Sequence, residues 1–91
     1  MNAARGECEI VIDGASHILC LTLAALAELE TLFGCQNLDE LQARIKNLSA
    51  SELMKVLEVL LRAGGAAVST DHVLPKAAAE AVSEAFRAAL G

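Results

Sequence analysis

Residues 5–34 read RGECEIVIDGASHILCLTLAALAELETLFG, and the order of patterns in this stretch decides the fold of the N-terminal third. From Glu7 to Asp13, apolar and polar residues alternate, which is typical of a half-buried strand. Asp13-Gly14 or Gly14-Ala15 can supply a tight turn, because glycine accepts the positive φ that hairpin turns require. The return strand, Ser16 to Leu21, runs directly into a segment rich in Leu and Ala. The stretch therefore predicts a β-hairpin that leads into a helix.

The hairpin turn also determines which side chains share a face. Any two-residue turn around Gly14 pairs positions whose numbers sum to an odd value, and this places Cys8 and Cys20 on opposite faces. Two strands alone are marginally stable in water, so the apolar face is expected to pack on helices. That face is predicted to carry Cys8, Ile10, Ile12, His17, Leu19 and Leu21. With Cys35 the chain has three cysteines, and we expect buried free thiols.

The first helix is bounded by clear signals. Thr22 is a suitable N-cap, and Gly34 stands where a left-handed C-cap belongs. Between them, helical spacing predicts an apolar face. Its members are Leu23, Leu26, Leu29 and Phe33.

Two further helices are predicted before residue 65. Asn37 with Glu40 resembles an N-terminal cap of a short second helix, and Ser49 or Ser51 caps the third, with Ser49-x-x-Glu52 fitting a capping box. The second helix has one apolar stripe, Leu38, Leu41, Ile45 and Leu48. In the third, the region Leu53 to Leu61 is apolar over most of its circumference and leaves one narrow polar, salt-bridged stripe, Glu52, Lys55, Glu58 and Arg62. We expect this third helix to be the most buried, with Gly64-Gly65 at its end.

A last helix is predicted to begin near Pro75, since the missing N–H of proline is harmless in a first turn. Its packing face would be a stripe of small residues interrupted by one ring, formed by Ala78, Ala79, Val82, Phe86 and Ala89. The predicted fold class is therefore α+β and mainly α, a hairpin followed by about four helices. Residues 1–91 form a single domain, with the hairpin in 1–22 and the helical part in 23–91.

Composition limits the functions that the chain can have. A domain of 91 residues buries only about 60 to 65% of the surface of its unfolded chain, and much of its 55% hydrophobic content is Ala. We expect a thin core that favours pairing with itself or a partner. The net charge of −5, with no cluster of Lys or Arg, argues against nucleic acid. No apolar run is long enough for a membrane span and no secretory signal is visible, so a cytoplasmic location without membrane partners is expected.

The sequence offers no catalytic constellation. His17 and His72 belong to no metal-ligand pattern, and Gly64-Gly65 lacks the Lys-Ser/Thr pair of a phosphate loop. An acyl carrier would need a Ser between an Asp and a Leu at a helix start, which is not found. We therefore expect a protein that is not an enzyme, with no catalytic residues, metal or cofactor.

The segments Arg5-Gly6-Glu7 and Leu21 to Gly34 resemble a known family. An RGE-type start, a hairpin and an "LT…ALAELE…G" helix recur in this order in the small tail assembly chaperones of phages and gene transfer agents. The resemblance implies a non-catalytic protein that is needed while the tail forms, and that shields apolar helical segments of the tape-measure protein. The tail tube protein is a possible further partner, and the chain is a possible homo-oligomer.

The main alternative is a small cytoplasmic oligomeric adaptor, or structural interaction module, unrelated to tails. In either case an apolar protein-binding surface is expected on the first helix, where Ala side chains permit close approach, or on the last helix. The candidate residues are Leu23, Ala24, Leu26, Ala27, Phe33, Val82 and Phe86.

Overall fold

The computed structural model describes residues 6–91, so Arg5 of the RGE start lies outside the described residues. This part of the chain forms a two-stranded antiparallel sheet followed by four helices, as the sequence predicted. The elements are β1 Glu7–Ile12, β2 Ala15–Cys20, α1 Leu23–Phe33, α2 Leu38–Ile45, α3 Ala50–Ala63 and α4 Pro75–Leu90.

The hairpin has the predicted faces, and its turn is at Asp13-Gly14, one of the two predicted alternatives. Asp13 and Gly14 both have positive φ, at 52° and 80°, as a two-residue hairpin loop of the I′ type requires. Cys8 pairs with Leu19 and Glu7 pairs with Cys20, so the two cysteines lie on opposite faces. Five of the six side chains of the predicted apolar face are buried and His17 is half-buried. Cys20 is buried as well, although it lies on the other face.

Helix α1 begins and ends at the predicted caps. The Ala25 N–H donates to Thr22 Oγ1 over 3.1 Å, and Gly34 has a φ of +68°. The predicted apolar face is wrong at its first member, because Leu23 is exposed and Ala25 is buried in its place. The face of α1 that packs on the core is Ala25, Leu26 and Leu29, with Phe33 half-buried at its end.

Helix α3 is central to the core. Its capping box is formed as predicted: Ser49 Oγ accepts from the Glu52 N–H, and the Glu52 carboxylate accepts from the Ser49 N–H. That second bond is the main reason that the pKa of Glu52 lies below its ordinary value. The helix packs against β2, α1 and α4, and Leu57 and Leu60 are fully buried.

The polar stripe of α3 contributes links to other helices. Glu52 pairs with Arg44 of α2, and Arg62 pairs with Glu28 of α1. The spacing predicted ion pairs among the members of this stripe, and this prediction is wrong for Glu52 and Arg62, because each pairs with a residue of another helix.

Helix α4 packs against β1 and α3, and Pro75 occupies its first turn as predicted. Its predicted packing face is wrong at one position: Ala79 is exposed, whereas Ala81 and Ala85 are buried beside Ala78, Val82 and Phe86. Helix α2 is capped by Asn37, whose Oδ1 accepts from the Glu40 N–H over 2.9 Å. Of its predicted stripe, Leu41 is fully buried and Leu38 is exposed.

Candidate protein-binding surface

The outer face of α1 exposes apolar side chains to solvent. Leu23 has the largest exposed fraction, 81%, among the large hydrophobic residues that the structure describes. Ala24 and Ala27 are exposed on the same side of the helix, because the opposite side is occupied by the core face described above. We call Leu23, Ala24 and Ala27 the α1 surface.

A shallow groove borders the α1 surface on the side of α3. It has a volume of about 220 Å³, and its polar wall is an ion pair in which Arg62 Nη2 lies 3.1 Å from Glu28 Oε2. Both side chains are largely exposed, so this pair contributes little to stability. Its position still matters, because it holds charged groups beside the apolar side chains of the groove, Ala24, Ala25, Val59 and Ala63. The groove is lined by Thr22, Ala24, Ala25, Glu28, Val59, Arg62 and Ala63.

The other candidate residues lie deeper in the molecule. Leu26 of α1 and Val82 and Phe86 of α4 are buried in the core. Phe33 is half-buried, with the Arg44 guanidinium 5.3 Å from the centre of its ring. The structure therefore brings Leu23, Ala24 and Ala27 together at the surface and separates them from the pair on α4.

Sequence reasoning missed a second apolar recess, between the start of α3 and the start of α4. This α3–α4 groove has a volume of about 390 Å³, and Met54 at its rim is 38% exposed. Thr70 lines it too; this residue is only 3% exposed, and its hydroxyl has no hydrogen-bond partner in the described chain. The signal in the sequence was the pair Leu53-Met54. A helix that is apolar over most of its circumference cannot bury all of its apolar side chains in one core. The remaining lining residues are Leu48, Ala50, Leu57, Asp71, Val73, Pro75, Ala78 and Ala79.

The thiols are free, as expected, and the environment of Cys8 makes it unreactive. Its thiol donates to the Ala81 carbonyl over 3.4 Å. Burial, and secondarily the negative charge of Glu84, raises the pKa of Cys8 to about 11. Because the thiolate is the reactive form, a thiol with this pKa is almost entirely unreactive at neutral pH.

We expect the three thiols to react with iodoacetamide in an order that follows this environment. In the native protein at pH 8, Cys35, which is half-buried, is expected to react first, and Cys8 is expected to react slowest. Mass spectrometry of peptides after timed labelling measures the order, with protein in denaturant as the control in which the three rates converge. Rapid native labelling of Cys8 would contradict this assignment.

The raised pKa also predicts the pH dependence of stability. The Cys8 thiol ionises more readily in the unfolded chain than in the folded one, so stability is unaffected below about pH 9 and falls as the pH rises toward 11.

No group of three or more side chains suited to hold a metal ion occurs among residues 6–91. In the same range, no helix combines the length and apolar character that crossing a bilayer demands.

Comparison with models of known protein families places most of the chain in one family. A family model described as "Phage tail tube protein, GTA-gp10" matches residues 5–91. No curated protein and no solved structure matches the chain.

Proposed function

Since the chain belongs to the GTA-gp10 family of phage tail tube proteins, we propose that it acts in tail assembly by binding apolar helical segments of the tape-measure protein. In this proposal it is a tail assembly chaperone and not an enzyme. The tail family expected from the hairpin and the LTxxALAELE helix is confirmed by the match. The chaperone role and the tape-measure partner are the proposal.

The observation that carries the proposal is the exposure of Leu23 beside two alanines. The core of the described chain is closed without Leu23, since eight large side chains are under 2% exposed. A large aliphatic side chain left 81% exposed on a helix beside Ala24 and Ala27 makes an apolar contact surface available. Alanine allows the backbone of a partner helix to approach closely, and apolar area removed from water on contact favours binding.

The groove beside the α1 surface fits the same kind of partner. An apolar helix that lies along α1 could place side chains between α1 and α3, next to Val59 and Ala63. The Glu28–Arg62 pair at the rim would orient polar residues of that helix. Stable interfaces bury about 800 Å² on each partner, and a surface of two helices on this domain can provide that area.

The decisive test uses Ala24→Glu and Ala27→Glu. Each substitution places a charge in the α1 surface without removing a core contact, since both side chains are exposed. We expect each to weaken binding of helical tape-measure fragments by about tenfold or more, because the carboxylate would be desolvated in the complex. Light scattering and calorimetric titration of the full chain with the fragments measure the affinity.

Ala77→Glu is the matched control. Ala77 is an exposed alanine in the first turn of α4, where a carboxylate is electrostatically compatible with the helix. Binding is expected to stay unchanged in this variant. If all three folded variants bind the fragments equally well, the α1 surface is not the site.

One observation favours a second candidate function. The family is described as a tail tube protein, and a tube is in general built from repeated subunits. The α1 surface could then join copies of this chain as part of a small oligomer. Sedimentation of the protein alone separates the two: self-association that is lost in Ala24→Glu, together with no binding of tape-measure fragments, would favour the oligomer.

A further inference from the structure

The outer edge of β1 presents backbone groups that the hairpin does not use. The Leu21 N–H donates to the Gly6 carbonyl over 3.1 Å, which sets the phase of hydrogen bonding along the two strands. In an antiparallel pair, every second residue exchanges backbone hydrogen bonds with the partner strand. The backbone N–H and C=O groups of the residues between them point away from the partner strand. Given the register, Glu9 and Val11 point their N–H and C=O groups away from β2.

At this edge both Glu9 and Val11 are exposed to solvent. Within residues 6–91, neither residue makes a backbone hydrogen bond to an element outside the hairpin. Helix α4 packs against β1, yet the Val11 side chain remains 66% exposed. The edge of β2 differs, because the Ile18 carbonyl lies against Gly64 at the end of α3.

The charges around the β1 edge decide what can pair with it. The strand and its turn carry the exposed carboxylates of Glu9 and Asp13 on one face, where the Ser16 hydroxyl donates to Glu9 Oε2 over 3.0 Å. Glu84 of α4 lies close enough to Cys8 on the other face to act on its thiol. A second copy of β1 would set these carboxylates against their own equivalents, and like charges on adjacent strands are destabilising. A basic strand would meet opposite charges instead.

We propose that the outer edge of β1 binds an extended, basic segment of another protein by strand addition. In this arrangement the backbone of the segment pairs with Glu9 and Val11, and its Lys or Arg side chains lie beside the carboxylates of Glu9 and Asp13. This is a second binding site, separate from the α1 surface. Acidic edge residues also prevent sheets from pairing edge to edge, and here the same charges select the partner strand.

The test uses the isotope-labelled full chain and a defined probe, a blocked peptide of about six residues in which Lys and Thr alternate, close to a typical strand length. We expect amide shifts and slowed hydrogen exchange centred on Glu9 and Val11. Binding should weaken with added salt. A peptide with Glu in place of Lys should bind about tenfold more weakly or worse.

Substitutions at the edge test the backbone and the charge separately. Val11→Pro removes the outward N–H without taking a bond from β2, a position at which an edge strand tolerates proline, and we expect it to abolish binding. Val11→Thr keeps that N–H and is expected to bind within about twofold of the parent. Glu9→Lys should shift the preference from the Lys peptide toward the Glu peptide.

Three outcomes would overturn the proposal: no binding of the Lys peptide, shifts that map away from β1, or undiminished binding by a folded Val11→Pro variant. If Val11→Pro does not fold, the Glu9→Lys variant decides instead. The site is rejected if this variant prefers the Lys peptide over the Glu peptide as strongly as the parent does. Ala24→Glu is expected to bind the Lys peptide normally, so failure at the β1 edge and failure at the α1 surface can be distinguished.

Discussion

Gly64→Ala is expected to lower the free energy of unfolding by about 3 kcal/mol, at the upper end of the usual cost of overpacking. A Cβ atom at this position would lie 2.0 Å from the Ile18 carbonyl oxygen and 2.8 Å from its carbon. Both are backbone atoms, so no side chain can rotate away. Either the end of α3 or strand β2 must move, and these two elements pack against each other.

The conformation of Gly64 does not require glycine, since its φ of −85° suits any residue. Gly65 is the matched control because its situation is reversed: its φ is +89°, but an added Cβ would meet nothing within 4 Å. Gly65→Ala is therefore expected to cost only the conformational strain, about 1 to 2 kcal/mol. Urea unfolding followed by circular dichroism measures both. A larger loss in Gly65→Ala than in Gly64→Ala would show that the close approach to Ile18 is not the limiting contact.

Leu57→Ala is expected to cost about 3 kcal/mol, within the range of 2 to 5 measured for buried leucines. Leu57 is fully buried in α3, the helix that contacts β2, α1 and α4, so the cavity would lie where several elements meet. At the usual stability per residue, a folded chain of 91 residues has a total stability of roughly 5 to 14 kcal/mol. This single substitution would therefore remove a large share of it.

Met54→Ala on the same helix is the control for Leu57→Ala. Met54 is 38% exposed at the rim of the α3–α4 groove, so its truncation removes less buried surface and leaves no closed cavity. We expect a loss of about 1 kcal/mol or less. Thermal or urea unfolding of the two variants gives the comparison. Equal losses would contradict the central position of α3 in the core.

Much of the fold could be predicted because its signals are local. The turn at Asp13-Gly14 and the caps at Thr22, Asn37 and Ser49 each depend on residues within about one helical turn, and all four are formed as predicted. Their hydrogen bonds require no knowledge of distant parts of the chain. Element order and fold class follow from these signals.

The rotation of the helices about their axes was predicted less well. Helical spacing showed that Leu23 and Leu26 share a side of α1, but the buried arc runs through Ala25 and leaves Leu23 in solvent. On α4 the prediction failed in the same way: Ala79 was expected on the packing face but is exposed, and Ala81 and Ala85 are buried instead. In a helix rich in Ala, several arcs are almost equally apolar, so the pattern alone does not select one.

The candidate binding residues fall into two groups, those that the structure leaves exposed and those that it buries. The alanines of α1 were identified from the sequence, and the structure leaves Ala24 and Ala27 exposed beside Leu23. Val82 and Phe86 were selected for the same apolar character, but α4 uses them to pack the core. Apolar character predicts that a side chain is buried or bound, and only packing determines which.

The sequence by itself determined the hairpin, the helix boundaries and the tail family, since each depends on neighbouring residues or on a short motif. Only the tertiary structure decided that Gly64 must be small, because the atom that excludes a side chain belongs to Ile18, on a different element. The open edge of β1, the α3–α4 groove and the exposure of Leu23 were decided in the same way. Each depends on which surfaces the other elements cover, and that is fixed by long-range packing.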